Sequence, residues 1–372
     1  MPAKEYGVFL PIGNGGWMVS TTAPHPAATY AYNRQVALDA EAAGLDFIMT
    51  MAKWKGFGGT TDHWGETLES MTMMSALAEC TERVKIWATM HANMHHPAVA
   101  AKMYTTLQQI SGGRAGMNIV NGSYADEFSQ MGLWQDMPKE DRYRMTAEWC
   151  EAVTRLWTED RVTMESDFFT LVDAESRPHP DPRPTIINAG ASTLGMEFQA
   201  RYADGAFLGA DSFEEMVEKS AYVHRRAGEL GRECRTYSMM TVVLADTDDA
   251  ARAKVAEYGR GVDREALLNM SLAWGVPLDR ARAWAEGATG EEAFQVQYVA
   301  GSPATVTESI LRLVEDADLD GLMLIFPDYH ADLPEFGRRV LPELRAADLA
   351  RTAPTADPHP IPTTSEESPA HV

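Results

Sequence analysis

Cysteine is scarce in this chain. Three thiols, Cys80, Cys150 and Cys234, are spread over 372 residues with no CxxC spacing and no Cys/His cluster. That excludes a disulfide framework and a zinc knuckle, and it fits buried, inert thiols in a reducing cytoplasm. Long apolar runs are missing too. No stretch approaches a membrane span, and Met1-Pro-Ala-Lys-Glu5 lacks the apolar core of a signal peptide. Basic charge is outnumbered: 32 Lys and Arg face 54 Asp and Glu, for a net charge of −22. An acidic chain repels phosphate backbones and anionic lipid, so neither nucleic acid nor a membrane is an expected partner. Two hydrolytic signatures are absent, GxSxG and HExxH. His95 and His96 are adjacent in a strand-like segment and point to opposite faces, so no metal site is expected there.

What the chain does have is a regular alternation. Short apolar runs at 6–11, 46–50, 84–89, 115–120, 185–189, 206–208, 236–244 and 321–326 are separated by helix-patterned segments. Eight strands alternating with helices predict a single (β/α)8 TIM-type barrel over residues 1–346. Residues 121–140, 159–183 and 261–300 exceed what crossovers need and are expected to be insertions, with an extra hairpin around Phe168–Leu171. The 261–300 insertion reads equally as a lid that orders on closure or as a rigid decoration. Residues 351–372 hold five prolines and no aromatic residue, which predicts a disordered tail over 347–372.

The most informative segment is Met49-Thr-Met-Ala-Lys-Trp-Lys-Gly-Phe-Gly-Gly59, a strand running into a loop with two cations and two aromatics. Ligands bind at strand C-termini in such folds. Trp54 and Phe57 suit a flat ring, and Lys53 suits an anion or an electron-rich ring edge. Other polar residues collect at the same ends: Asn14 and Trp17, then Thr89, His91 and Asn93, then Asn118 and Asn121, then Asn188 and Ser192. Amides and hydroxyls outnumber carboxylates, which favours holding a heteroaromatic edge over acid–base hydrolysis. Gly190-Ala-Ser192 opens a helix and offers backbone N–H groups to a phosphate, with Arg142 as a charged partner. The plainer alternatives are a helix N-cap for Ser192 and a solvated face for Arg142. A phosphate site beside a ring-edge site suggests FMN.

Several motifs resemble the bacterial luciferase-like flavin monooxygenases, and within them the pyrimidine-oxidising branch. They are Gly7-Val-Phe-Leu-Pro-Ile-Gly-Asn-Gly-Gly-Trp17, Met51–Gly59, Leu68-Glu-Ser70, Ser111-Gly-Gly-Arg-Ala-Gly-Met-Asn118, Glu127 with Met131-Gly132, and Gly190-Ala-Ser192 followed by Ala200-Arg-Tyr-Ala-Asp204. Tyr32-Asn33-Arg34, His96-Pro97-Ala98 and Leu156–Asp160 are similar to the sulfone and alkanesulfonate branch. The resemblance runs from about residue 6 to 346. It implies a barrel that uses reduced FMN from a separate NAD(P)H-dependent flavin reductase, with O2 as co-substrate, in a homodimer or homotetramer. By matching motifs it implies FMN contacts at Ala52, Lys53, Asn118, Glu127, Arg142, Tyr143 and Ser192, and dioxygen held by Thr89 and Asn118. The implied activity is oxidation or cleavage of a small heterocycle or amide-like C–N bond. A sulfone or sulfonate monooxygenase, an F420-dependent oxidoreductase and a non-catalytic flavin binder are the alternatives. One departure stands out: Gly122-Ser123 replaces the family's Gly-Trp pair. The expected substrate pocket of Trp54, Phe57, His91, Asn93 and Ser123 is correspondingly wider and more polar.

Overall fold

The computed structural model describes residues 3–122, 124–210 and 212–352. Eleven strands form: β1 (Glu5–Phe9), β2 (Phe47–Met49), β3 (Lys85–His91), β4 (Ala115–Val120), β5 (Val162–Glu165), β6 (Thr170–Ala174), β7 (Thr185–Asn188), β8 (Gly205–Leu208), β9 (Arg235–Leu244), β10 (Tyr298–Gly301) and β11 (Gly321–Ile325). Eight of them close a parallel barrel in the order β1-β2-β3-β4-β7-β8-β9-β11, with β11 returning to β1. All eight barrel strands fall on the apolar runs of the sequence. Helices between them cover the outside, as the alternation requires.

Local chemistry sets the boundaries. The helix Tyr30–Ala43 starts where the Thr29 side chain caps Tyr32 N–H and stops at Gly44, whose φ of 86° suits glycine. Inside the barrel, Phe47 stacks on Trp87 at 4.0 Å, and Phe207 and Tyr237 pack edge-on against both. Glycines on neighbouring strands make the room. A Cβ at Gly7 would lie 2.2 Å from the Phe47 ring, and one at Gly116 would lie 2.3 Å from Trp87. Below this plug, Glu5 takes charge-assisted bonds from Lys85 and Arg235 and a 2.7 Å bond from the Tyr237 hydroxyl.

Two of the insertions carry defined elements. Residues 159–183 carry the antiparallel β5–β6 hairpin, whose second strand begins within the Phe168–Leu171 segment. Residues 261–300 fold as two helices, Arg264–Ala273 and Leu278–Glu286, followed by β10. The sequence pattern predicts no strand there. β9 is long enough to serve three neighbours: Arg235–Ser238 pairs with β8, Tyr237–Thr241 with β11, and Thr241–Leu244 continues beyond β8 to pair with β10. The C-terminal boundary also differs from expectation. One helix over 331–346 is instead two, Tyr329–Arg339 and Leu341–Thr352, so 347–352 is helical rather than tail. The expected disordered segment beyond Thr352 lies outside the described residues. Among the described residues, no helix is long and apolar enough to cross a membrane.

Candidate active site

A cavity of about 690 Å3 opens at the C-terminal ends of the barrel strands. Its floor is built by register. β3 and β4 pair with Thr89 opposite Asn118. The Thr89 hydroxyl donates to the Thr50 carbonyl, so its lone pair is left to accept the Asn118 amide at 2.9 Å. Ser70 Oγ accepts Thr89 N–H at 2.8 Å and lies 2.7 Å from Thr50 Oγ1. This chain fixes the orientation of the Asn118 amide. Asn118 lines the cavity, and its Oδ1 is buried with no partner, an unspent acceptor. Thr89 lines the cavity but has its own hydroxyl proton committed, so it orients Asn118 rather than donating to a ligand.

One wall is cationic. Lys53 is buried, with Nζ 3.4 Å from Glu127 Oε1 and over the rings of Phe57 and Tyr124 at 4.5 and 4.6 Å. Burial pushes its ammonium below the usual lysine range, and Glu127 opposes that shift. Glu127 also accepts the Trp54 backbone N–H, while its Oε2 is unpartnered. Ala52 and Lys53 line the cavity. Glu127 does not; it stands behind Lys53 and faces an adjoining chamber. Its position makes it a holder of Lys53 and the loop.

At another part of the rim, Ser192 caps the helix Thr193–Tyr202 by accepting Gly195 N–H, and lies 3.4 Å from the Tyr143 hydroxyl. The N-cap reading of Ser192 therefore holds together with its place in the cavity wall. Arg142 donates to the Met137 carbonyl at 2.8 Å, and its Nε is buried and unpartnered. Lys139, which no sequence motif marks, joins Arg142, Tyr143 and Ser192 around the same cavity. Two cations, two hydroxyls and a helix N-terminus are a donor set for a phosphate.

The expected substrate residues separate. Phe57 and His91 line the cavity. Trp54 does not, and its indole N–H donates to His91 Nδ1 at 3.4 Å. Asn93 is likewise absent from the lining; its amide packs against Gly122, where a Cβ would lie 2.6 Å from Asn93 Oδ1. Gly122 has a φ of +65°, so only glycine fits that turn comfortably. Ser123 lies outside the described residues. Asn14 is structural, bonding the Asp62 carbonyl at 2.8 Å and accepting Glu66 N–H. Asn188 shapes the turn into the helix at Ser192 by accepting Gly190 N–H at 2.9 Å. His95 accepts Trp149 N–H through its carbonyl, and His96 caps the helix Pro97–Ile110. Among the described residues, no group of three or more His, Cys, Asp or Glu is placed to hold a metal ion.

The roof comes from the 261–300 insertion, which contributes Met270, Trp274, Gln295 and Val296. It is clasped to the loop after β2. Buried Asp263 accepts Thr61 N–H at 2.7 Å, Thr61 Oγ1 at 2.8 Å and Ala266 N–H at 3.1 Å. Asn269 donates to the Phe57 carbonyl at 2.8 Å, and Gln295 meets His63. Tyr124, Lys139, Trp274 and Gln295 are cavity residues missed from sequence. An aromatic residue within the 261–300 insertion was a usable signal for Trp274; Gln295 carries none.

Residues 4–320 match the luciferase-like monooxygenase family. The chain is 36% identical over 349 residues to a protein of Methylorubrum extorquens named pyrimidine monooxygenase RutA, covering 91% of this chain and 96% of that one. Two solved structures superpose with a TM-score of 0.82. One is a long-chain alkane monooxygenase, LadA, at 18% identity over 93% of this chain and 92% of that one. The other is a riboflavin lyase, RcaE, described with modified FMN and riboflavin, at 21% identity over the same shares. With the barrel closed and the match running across most of its length, this chain belongs to the luciferase-like monooxygenase family.

Proposed function

We propose that this chain is an FMN-dependent monooxygenase that uses reduced flavin and dioxygen to oxidise or cleave a small heterocycle at an amide-like C–N bond. One observation carries the reading. A single cavity joins an oriented, unspent acceptor at Asn118 to a cationic, hydroxyl-bearing rim at Arg142, Lys139, Tyr143 and Ser192. A reduced flavin with a phosphate tail has both complements, ring N–H groups and an anion.

Reduced FMN supplies the electrons that activate dioxygen. The chain's residues supply position and dryness. Arg142, Lys139 and Ser192 would hold the phosphate. Asn118 would accept from a ring N–H, with Thr89 preventing the amide from turning. Lys53, held by Glu127, would face the electron-rich ring edge beside Phe57. Met49, Met51, Phe207 and Met323 give the cavity apolar walls, and the clasped insertion would limit the entry of water from its side. The name of the Methylorubrum extorquens relative supports a cyclic amide as substrate. A separate NAD(P)H-dependent flavin reductase and a homo-oligomeric assembly belong to the same reading.

The test compares FMN, riboflavin and F420 by quenching of tryptophan fluorescence, then supplies reduced FMN through a flavin reductase with NADH and either uracil or a larger, more polar cyclic amide. Tightest binding of FMN is expected, with oxidised product that needs this chain and forms more poorly from uracil than from the larger amide. Preference for F420 with no oxygen uptake contradicts the reading.

A further inference from the structure

His91 ends β3 with its ring in the cavity wall, two residues beyond Thr89. The identity of its neighbour decides its chemistry. Trp54 Nε1 lies 3.4 Å from His91 Nδ1, and an indole nitrogen only donates. Nδ1 must therefore carry the lone pair. The ring is buried, and the groups around it oppose a positive charge. Burial pushes its pKa down to about 3, and His95 and Lys53 push the same way. The Phe128 ring meets it edge-on at 5.0 Å, and the His91 backbone carbonyl faces His95 Nδ1 at 3.2 Å. No carboxylate contributes to its shift. A neutral imidazole with Nδ1 as acceptor has its proton on Nε2.

We propose that Trp54 is a positioning residue that locks His91 as the neutral Nε2–H tautomer, making His91 a fixed hydrogen-bond donor that selects substrates carrying a carbonyl or sulfonyl oxygen. This deepens the monooxygenase reading and rests on it for the word substrate; the tautomer itself does not. The cavity then offers a matched pair: an acceptor at Asn118 Oδ1 and a donor at His91 Nε2. A site that spends buried polar groups on a ligand rejects analogues without the matching atoms far more strongly than an apolar pocket does. The arrangement also assigns Trp54 a role despite its place outside the cavity wall.

Ring ¹⁵N NMR of the FMN-loaded full chain reads the tautomer without turnover, with the His91 signal assigned by its loss in His91→Gln. The expected result is an Nε2-protonated neutral ring that does not titrate between about pH 5 and 8. Trp54→Phe keeps the ring and the backbone bond to Glu127 but removes the indole donor. It should yield a mixture of tautomers. An Nδ1-protonated ring in the wild type, or a tautomer unchanged by Trp54→Phe, overturns the lock. The second arm adds uracil, dimethyl sulfone or benzene to the same sample. The His91 Nε2 proton should shift with at least one of the two oxygen-bearing probes and not with benzene. No shift with either, or an equal shift with benzene, overturns the selecting role. Because neither arm requires catalysis, a failure here is distinguishable from a failure of the monooxygenase reading.

Discussion

Asn118 on β4 donates its amide N–H to the Thr89 hydroxyl on β3 at 2.9 Å, and the Thr89 hydroxyl donates in turn to the Thr50 carbonyl. The order of donors makes the two residues unequal. Asn118→Ala removes the buried, unpartnered acceptor of the pair. It should fold, bind flavin and lose about 10²–10³ in productive turnover, with reducing equivalents diverted to hydrogen peroxide. Thr89→Val leaves Asn118 in place but lets its amide turn, so its loss should be smaller. Product and peroxide per NADH consumed measure both. Wild-type coupling in both variants would mean that this pair does not hold the reduced ring.

Arg142 and Ser192 make a second prediction. A charge-assisted hydrogen bond contributes about 1.5–3 kcal/mol. Arg142→Ala should weaken FMN by roughly 10- to 100-fold and leave riboflavin, which has no phosphate, almost unchanged. Titration of both flavins against both proteins checks this. Parallel weakening would mean that Arg142 serves the ring or the fold instead of the phosphate.

Two buried imidazoles predict an acid limit. Burial pushes the pKa of both His63 and His91 down to about 3. In the unfolded chain each returns to about 6.5. Between those values the unfolded state binds protons that the folded state refuses, so stability is fully present above about pH 6.5 and falls as pH drops. Each ring contributes about 1.4 kcal/mol per pH unit in that window. The dependence of unfolding free energy on pH, measured from about pH 6 to 4.5, should flatten in His63→Gln and in His91→Gln. Slopes identical to wild type would mean that these rings are protonated in the folded protein.

Asp263 predicts a coupling between the roof and the loop after β2. Its carboxylate serves Thr61 twice and caps the helix Arg264–Ala273. Asp263→Ala should cost about 2–4 kcal/mol in unfolding free energy, because buried donors lose their acceptor. A loosened roof also admits water, so peroxide release should rise. A stable, fully coupled variant would show that the clasp is dispensable.

Sequence legibility followed locality. The barrel strands were readable because each is a short apolar run bounded by turn residues. Lys53, Thr89, Asn118 and Ser192 were readable because strand ends converge at one face of this fold. The errors concern what a side chain does once there. Trp54 and Phe57 are three residues apart in one loop, yet only Phe57 reaches the cavity. Glu127 sits 74 residues from Lys53 in sequence and behind it in space. Asp263 and Thr61 meet across 202 residues. Such pairings leave no local signature, and neither does β10, whose pairing exists only because β9 overshoots the barrel.

The most direct test of the monooxygenase assignment is isotopic. The protein is incubated with FMN, a flavin reductase, NADH and a panel of heterocycles and sulfones under ¹⁸O₂, and products are read by mass spectrometry. One labelled oxygen atom in the product of a cyclic amide is expected, dependent on both FMN and this chain. Tight flavin binding with no label in any product, at undiminished NADH supply, would contradict it.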